Sequence, residues 1–327
     1  MILVTGGSGF VGLNLAEQLL GRGDSVALFS ATPAPASAIA ELSRLPGKLS
    51  VLEGDVSDFA AVSKLFEKLK PQRVIHAAAI TAGAERDARE PRRIAQVNLL
   101  GTLNVLEAAR ASGVKRFVHA STGALFGAAG MNAGHPLDEE RDRPLPESMY
   151  GITKYAAERA VLRLSALWGM DCLVGRLAVV FGRWEYGTGV RDTVSAPTAL
   201  ARMARAGREA VFPRLGETDY IYGPDVASAL VALLDAGAPP QRLYHLGTGA
   251  PWALPQWCAA LAARHPGFRW RESTNAGECN VSVLPSVART PFSNLRLARD
   301  FGWKARHDAA SAAADFTAWL GGHHEFC

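Results

Sequence analysis

The 327 residues are enough to bury one large core plus a smaller lobe, and 48% hydrophobic with 20% charged residues is ordinary for a globular protein. A formal net charge of +4, with arginines scattered and no basic stripe interleaved with aromatics, is not a nucleic-acid footprint. No apolar run approaches the ~18 residues that would span a bilayer, so neither nucleic acid nor membrane is an expected partner.

The first strand, Ile2–Val4, leaves no room for a leader before it, and a cytoplasmic location is the expectation. That strand runs into Thr5-Gly-Gly-Ser-Gly-Phe-Val-Gly12 and then a helical pattern over 10–21. Gly6 permits a tight turn and Gly9 a close backbone approach to a pyrophosphate seated on the helix N-terminus. Gly12 permits close helix packing. Phe10 and Val11 open the helix. With the three glycines they are assigned to a bound dinucleotide.

Further apolar runs at Ser25–Phe29, Leu49–Leu52, Arg73–His76, Arg116–His119, Cys172–Val180 and Leu243–Leu246 read as strands. Helical periods fall near 36–45, 58–69, 91–112, 149–168 and 198–206. The alternation predicts an α/β fold, a Rossmann-type doubly wound parallel sheet with helices on both faces. Regularity fails after about residue 182. The expected division is a dinucleotide-binding domain over 1–182, with part of 215–250 returning to it. A smaller, mainly substrate-binding C-terminal lobe follows over 183–327. Cys172, Cys258, Cys279 and Cys327 are far apart and lack metal-ligand spacing, so free thiols and no metal are expected. The closing Gly-Gly-His-His-Glu-Phe-Cys reads as a frayed tail.

Tyr150 and Lys154 lie four residues apart at a helix start, which puts phenol and ammonium on one face. A phenol of pKa ~10 is a poor acid–base group at neutral pH unless a nearby cation stabilises the phenolate. Ser121 and Thr122 follow the strand 116–119, at the sheet edge where open α/β folds bind ligands.

Thr5-Gly6-x-x-Gly9-x-x-Gly12, Gly54-Asp55-Val56, His76-Ala77-Ala78-Ala79, Asn98, Ser121-Thr122 and Tyr150-x-x-x-Lys154 together resemble the extended short-chain dehydrogenase/reductases, the superfamily of nucleotide-sugar epimerases and dehydratases. The resemblance runs to Asp300-Phe-Gly-Trp303. It implies that Asp55 hydrogen-bonds the adenine, that Val56 binds the cofactor and that Ala77, Ala78 and Ala79 line the cofactor groove. Asn98 would steady the loops beneath the site, and Lys154 would hold the nicotinamide ribose. Thr122, four residues before Phe126-Gly127, matches the catalytic Ser/Thr better than Ser121. Each also has a structural reading: a capping Asp55, a core Asn98, a packing Thr122. Two helices, 91–112 and 149–168, would pair across a two-fold axis to give a homodimer.

The cofactor is NAD or NADP. Ser30 stands where an acidic residue would select NAD, and the next arginine along is Arg44, so the lean is to NAD. Gly123 and Ala124 replace the acidic residues that follow the catalytic hydroxyl in dehydratases and decarboxylases. Val179 replaces an asparagine, and Thr218 an arginine, that grip a nucleotide-sugar diphosphate. Arg191 is the first candidate for a substrate carboxylate or phosphate, with Arg183 and Arg214 behind it, although each has an acidic neighbour with which to pair. The sequence therefore favours an NAD(P)-dependent oxidoreductase acting on a secondary alcohol or ketone of a small sugar-like or hydroxy-acid substrate. A UDP-sugar 4-epimerase is the alternative, and a non-catalytic NAD(P) sensor a remote third.

Overall fold

The computed structural model describes residues 1–131, 133–192, 194–283 and 289–326. Strands are β1 (Ile2–Thr5), β2 (Ser25–Ser30), β3 (Lys48–Glu53), β4 (Arg73–His76), β5 (Arg116–Thr122), β6 (Cys172–Leu177), β7 (Val179–Phe181), β8 (Ala210–Pro213), β9 (Tyr220–Tyr222), β10 (Leu243–Leu246) and β11 (Trp270–Ser273). The α-helices in the first half are α1 (Phe10–Gly21), α2 (Ala36–Leu42), α3 (Phe59–Leu69), α4 (Ala84–Arg89), α5 (Pro91–Ala95) and α6 (Gly101–Ala111). Those in the second half are α7 (Met149–Trp168), α8 (Ala196–Arg205), α9 (Gly223–Asp235), α10 (Leu254–Ala262), α11 (Leu295–Phe301) and α12 (Ala309–Gly322).

The main sheet has seven strands in the order β10-β6-β5-β4-β1-β2-β3, with every neighbouring pair parallel. Parallel strands need both faces covered, and β1, β5 and β6 accordingly bury every residue. One core lies between the sheet and α1 and α9, the other between the sheet and α3, α6 and α7. The chain winds outward from β1 to β3 and then returns to β4 on the other side of β1. The carboxyl ends of β1 and β4 are therefore the switch point, where a crevice opens.

Several expected boundaries move. The run 172–180 is two strands, because Ala178 N donates to Leu246 O at 3.0 Å while Val179 N donates to Asp219 O at 3.1 Å. From there β7 leaves the sheet and pairs with β9. The helix expected over 91–112 is α5, a π-helical turn over Gln96–Leu100, and α6. The helix near 36–45 ends at Leu42. The C-terminal segment is packed rather than frayed: His323 stacks on Trp319 at 3.9 Å and pairs with Glu41 at 2.6 Å, and Phe326 is buried. Cys172, Cys258 and Cys279 are free thiols, and Cys327 lies outside the described residues.

Candidate active site

The turn from β1 to α1 is dictated by contacts that admit no side chain. Gly6 has a φ of +68°, and a Cβ there would sit 2.7 Å from Ala78 N. A Cβ on Gly12 would sit 2.3 Å from Gly6 O, so Gly12 packs the helix against the turn itself. Gly9 is the N-cap of α1 and offers no capping side chain. The first N–H groups of the helix therefore have no partner from the cap and open into the cavity shared by Gly9, Phe10, Val11 and Gly12. A helix start with free donors and its positive dipole end suits a pyrophosphate, so a dinucleotide fits.

Towards the adenosine end the groove has a volume of about 910 Å³ and is bordered by Ser30, Asp55, Val56 and the run Ala77–Ile80. Ser30 Oγ accepts from Ser8 N at 2.9 Å, which ties the end of β2 to the glycine turn. The Asp55 carboxylate accepts from Ser57 N at 2.8 Å and Ser57 Oγ at 2.7 Å, and it also pairs with Arg93. Arg86 and Arg93 both border this cavity, far along the chain from the strand end where a phosphate-selecting arginine is sought. Asn98 touches neither cavity. Its amide is fully buried, accepts from Ile80 N at 2.8 Å, and donates to Ile80 O at 3.0 Å and Thr153 Oγ1 at 3.1 Å. It holds the groove's floor from below.

At the other end, Tyr150, Lys154 and Ser121 border one cavity together with Arg191. A second cleft of about 1260 Å³ adds Thr122, Val179 and Arg289. Ser148 caps α7 by accepting from Gly151 N at 3.1 Å, and Tyr150 stands in the helix's first turn. Lys154 is 1% exposed, and its Nζ donates to Ala120 O at 2.6 Å and lies 3.4 Å from His119 Nε2. Burial lowers its pKa from 10.5 to about 7, with Glu158, one turn further on, acting the other way. His119 and His76 stack behind it, and burial holds both well below 6.5. Thr102 Oγ1 donates to Asn98 O, so it accepts from His76 Nε2–H. His76 Nδ1 then accepts from Thr5 Oγ1 at 2.6 Å.

The two adjacent hydroxyls differ in what they can offer. Ser121 Oγ donates to Glu158 Oε2 at 2.8 Å, and Glu158 is a buried carboxylate held from two sides by Arg176 at 2.6 and 3.0 Å. A carboxylate only accepts, so the Ser121 proton is committed and its lone pairs alone face the cavity. Thr122 Oγ1 accepts from Ala124 N at 3.1 Å, leaving its proton for a ligand oxygen.

Of the arginines expected at a substrate, Arg191 borders both cavities, over the Phe10 ring at 5.4 Å and paired with Glu185 at 2.9 Å. Arg183 does not: it is drawn away by Glu17 and Asp315, and its carbonyl accepts from Asn14 Nδ2. Nor does Arg214, whose side chain is 74% exposed and faces Glu272 at 3.6 Å. Thr218 is buried in a backbone bridge to Trp252. Arg289 was not anticipated from the sequence. It is half-buried, borders the cleft beside Tyr150, and has no hydrogen bond or ion pair among the described residues. Burial lowers its guanidinium pKa from the usual arginine range, opposed by the Tyr150 and Tyr220 phenols. No group of His, Cys, Asp and Glu suited to a metal occurs among the described residues.

The model of the NAD dependent epimerase/dehydratase family matches residues 2–247. The chain belongs to this family. It is thus an enzyme of an NAD-dependent, extended short-chain dehydrogenase/reductase type, as the motifs implied. It is 27% identical to the UDP-glucose 4-epimerase of Mycolicibacterium smegmatis, over 95% of this chain and 96% of that one. It is 26% identical to UDP-glucuronate 4-epimerase 6 of Arabidopsis thaliana, over 99% of this chain and 72% of the relative. Among solved structures, the Thermus thermophilus UDP-glucose 4-epimerase in complex with NAD superposes with a TM-score of 0.77 at 26% identity, covering 98% and 99% of the two chains. No described helix is long and apolar enough to cross a membrane.

Proposed function

We propose that the chain is an NAD-dependent UDP-sugar 4-epimerase, with Thr122, Tyr150 and Lys154 as its catalytic residues. The observation that carries the reading is that Tyr150 borders both the cavity that Lys154 lines and the cleft that Thr122 lines, at one end of the proposed dinucleotide groove, in a chain aligned over nearly its whole length with 4-epimerases. The dinucleotide, when bound, supplies the hydride acceptor and donor. Tyr150 takes the proton of the sugar 4-hydroxyl and returns it to the same oxygen once the ketone presents its other face for reduction. Thr122 donates its free proton to that oxygen. Ser121, with only lone pairs available, accepts from a substrate hydroxyl or an amide. Lys154 supplies positive charge on the cofactor side. Arg289 and Arg191 are the cations for the diphosphate or a sugar carboxylate. Arg289 offsets the loss of the arginine that Thr218 replaces. Leu100, Ile152 and Leu167 are exposed on the Gln96–Leu100 turn and α7, the surface a homodimer would use.

The sequence placed a net dehydrogenase acting on an unactivated sugar or hydroxy acid first, and Val179 and Thr218 still favour it. The two readings separate in one experiment. Purified protein is incubated with UDP-glucose or UDP-glucuronate without added cofactor, the sugars are resolved by NMR, and absorbance is followed at 340 nm. The expected result is the 4-epimer with no net reduction. Stoichiometric reduction of added NAD by an unactivated substrate, with UDP-sugars untouched, would overturn the proposal.

A further inference from the structure

The cofactor groove is crossed at one place by Gly187–Asp192, which leaves the substrate side after Tyr186 and reaches the connection that follows β4. Thr188 and Val190 border both the adenosine-end cavity and the nicotinamide-end cavity, so this segment lies over the middle of the groove. It is tied down at both ends. On the near side Tyr186 Oη donates to Ser8 O of the glycine turn at 2.6 Å. On the far side Thr81 N donates to Val190 O at 2.8 Å, and Asp192 N donates to Thr81 O at 3.3 Å. Two side chains reinforce that seam. Asp192 Oδ2 accepts from Gly83 N at 2.8 Å, and its Oδ1 pairs with Arg86 Nε at 2.8 Å. Arg86 Nη2 donates to Gly189 O at 2.8 Å, so a single guanidinium holds the crossing segment at two points.

We propose that Gly187–Asp192 is a strap over the dinucleotide and that Arg86 and Asp192 are the positioning residues that keep it shut. The cofactor is thereby retained from one turnover to the next. The inference rests on the reading of the groove as a dinucleotide site. Its chemical sense follows from the proposed reaction: an epimerase must keep the reduced cofactor beside its ketone, whereas a net dehydrogenase must exchange it every cycle. The Arg86–Asp192 pair is partly shielded from water, with 15% and 26% of the two side chains exposed, and is bonded to backbone as well. That places it above a solvent-exposed ion pair in strength.

The test is the rate at which radiolabelled NAD leaves the loaded protein when chased with excess ADP-ribose, for wild type, Arg86→Ala, Asp192→Asn and the charge-exchanged double variant Arg86→Asp/Asp192→Arg. Each single variant should release NAD about tenfold faster or more, Arg86→Ala by losing the charged hydrogen bond to Gly189 O and Asp192→Asn by leaving the Arg86 guanidinium without its carboxylate. The exchanged pair should recover most of the difference. Cooperative thermal unfolding of the dinucleotide-free proteins should show every variant still folded at the assay temperature, which separates release from folding. Single variants that release NAD at the wild-type rate would overturn the strap, as would an exchanged pair no slower than either single variant. A wild type that binds no NAD would overturn the groove assignment itself and the strap with it.

Discussion

Replacing Lys154 by methionine removes an ammonium that is 1% exposed and has a carbonyl and a neutral imidazole as its hydrogen-bonding neighbours. Burial lowers the pKa from 10.5 to about 7. Between those two values the unfolded chain binds more protons than the folded one, so wild-type stability rises with pH across that window. The burden of the buried charge is full below about pH 7 and has gone above about 10.5. The span from 10.5 to about 7, at ~1.4 kcal/mol for each tenfold in acid strength, corresponds to about 5 kcal/mol. Methionine fills a similar volume and has no proton to lose. Chemical denaturation of both proteins without dinucleotide should find the variant more stable at pH 6.5 by a few kcal/mol, with the gap closing towards pH 10. Epimerisation by the variant should meanwhile be lost. A stability difference that is flat in pH, or that widens as pH rises, would refute the reasoning.

The other predictions concern packing, pairing and substrate capture. Gly12→Ala puts a Cβ 2.3 Å from Gly6 O and 2.7 Å from Gly7 Cα, and overpacking of this kind costs about 1–3 kcal/mol. Calorimetric titration should show at least tenfold weaker NAD binding, because the helix start itself must shift. Glu158→Ala leaves the buried Arg176 without its carboxylate. The expected loss is about 3–5 kcal/mol in urea denaturation, and a loss below 1 kcal/mol would mean that water reaches the guanidinium. Arg289→Leu should raise KM for a UDP-sugar about tenfold or more while kcat changes little, since a charge held equally by ground and transition states contributes to binding alone. An unchanged KM would remove Arg289 from the substrate site.

The glycine turn and the β/α alternation were legible because their causes are local. The turn needs Gly6 and Gly12 at fixed spacing, and the buried strands read as short apolar runs. Tyr150 and Lys154 were legible for the same reason, being one helical turn apart. The break between β6 and β7 was not. Leu177-Ala-Val-Val-Phe reads as one strand, and only the pairings to Leu246 and Asp219, more than a helix away in sequence, divide it. Arg183 had only the neighbouring Glu185 to suggest a partner, because its actual partners, Glu17 and Asp315, lie far off in the chain. The packed C-terminal segment depends likewise on Glu41. Arg289 belongs to no motif, and nothing nearby in sequence announces that the fold brings it to Tyr150.

The π-helical turn at Gln96–Leu100 carries a consequence for how the groove keeps its shape. Ile80, in the connection after β4, is buried under the dinucleotide site, so its backbone N–H and C=O must find partners within the protein. The Asn98 amide supplies both, giving one acceptor and one donor to the two backbone groups of Ile80 as an adjacent strand would. The floor of the groove can thus be irregular without leaving a polar group stranded. Its contour is set by a helix on the far side of the loop more than by the loop's own residues. Residue 98 therefore acts as a one-residue strand. A position that holds the floor of the site is thus one that borders none of its cavities.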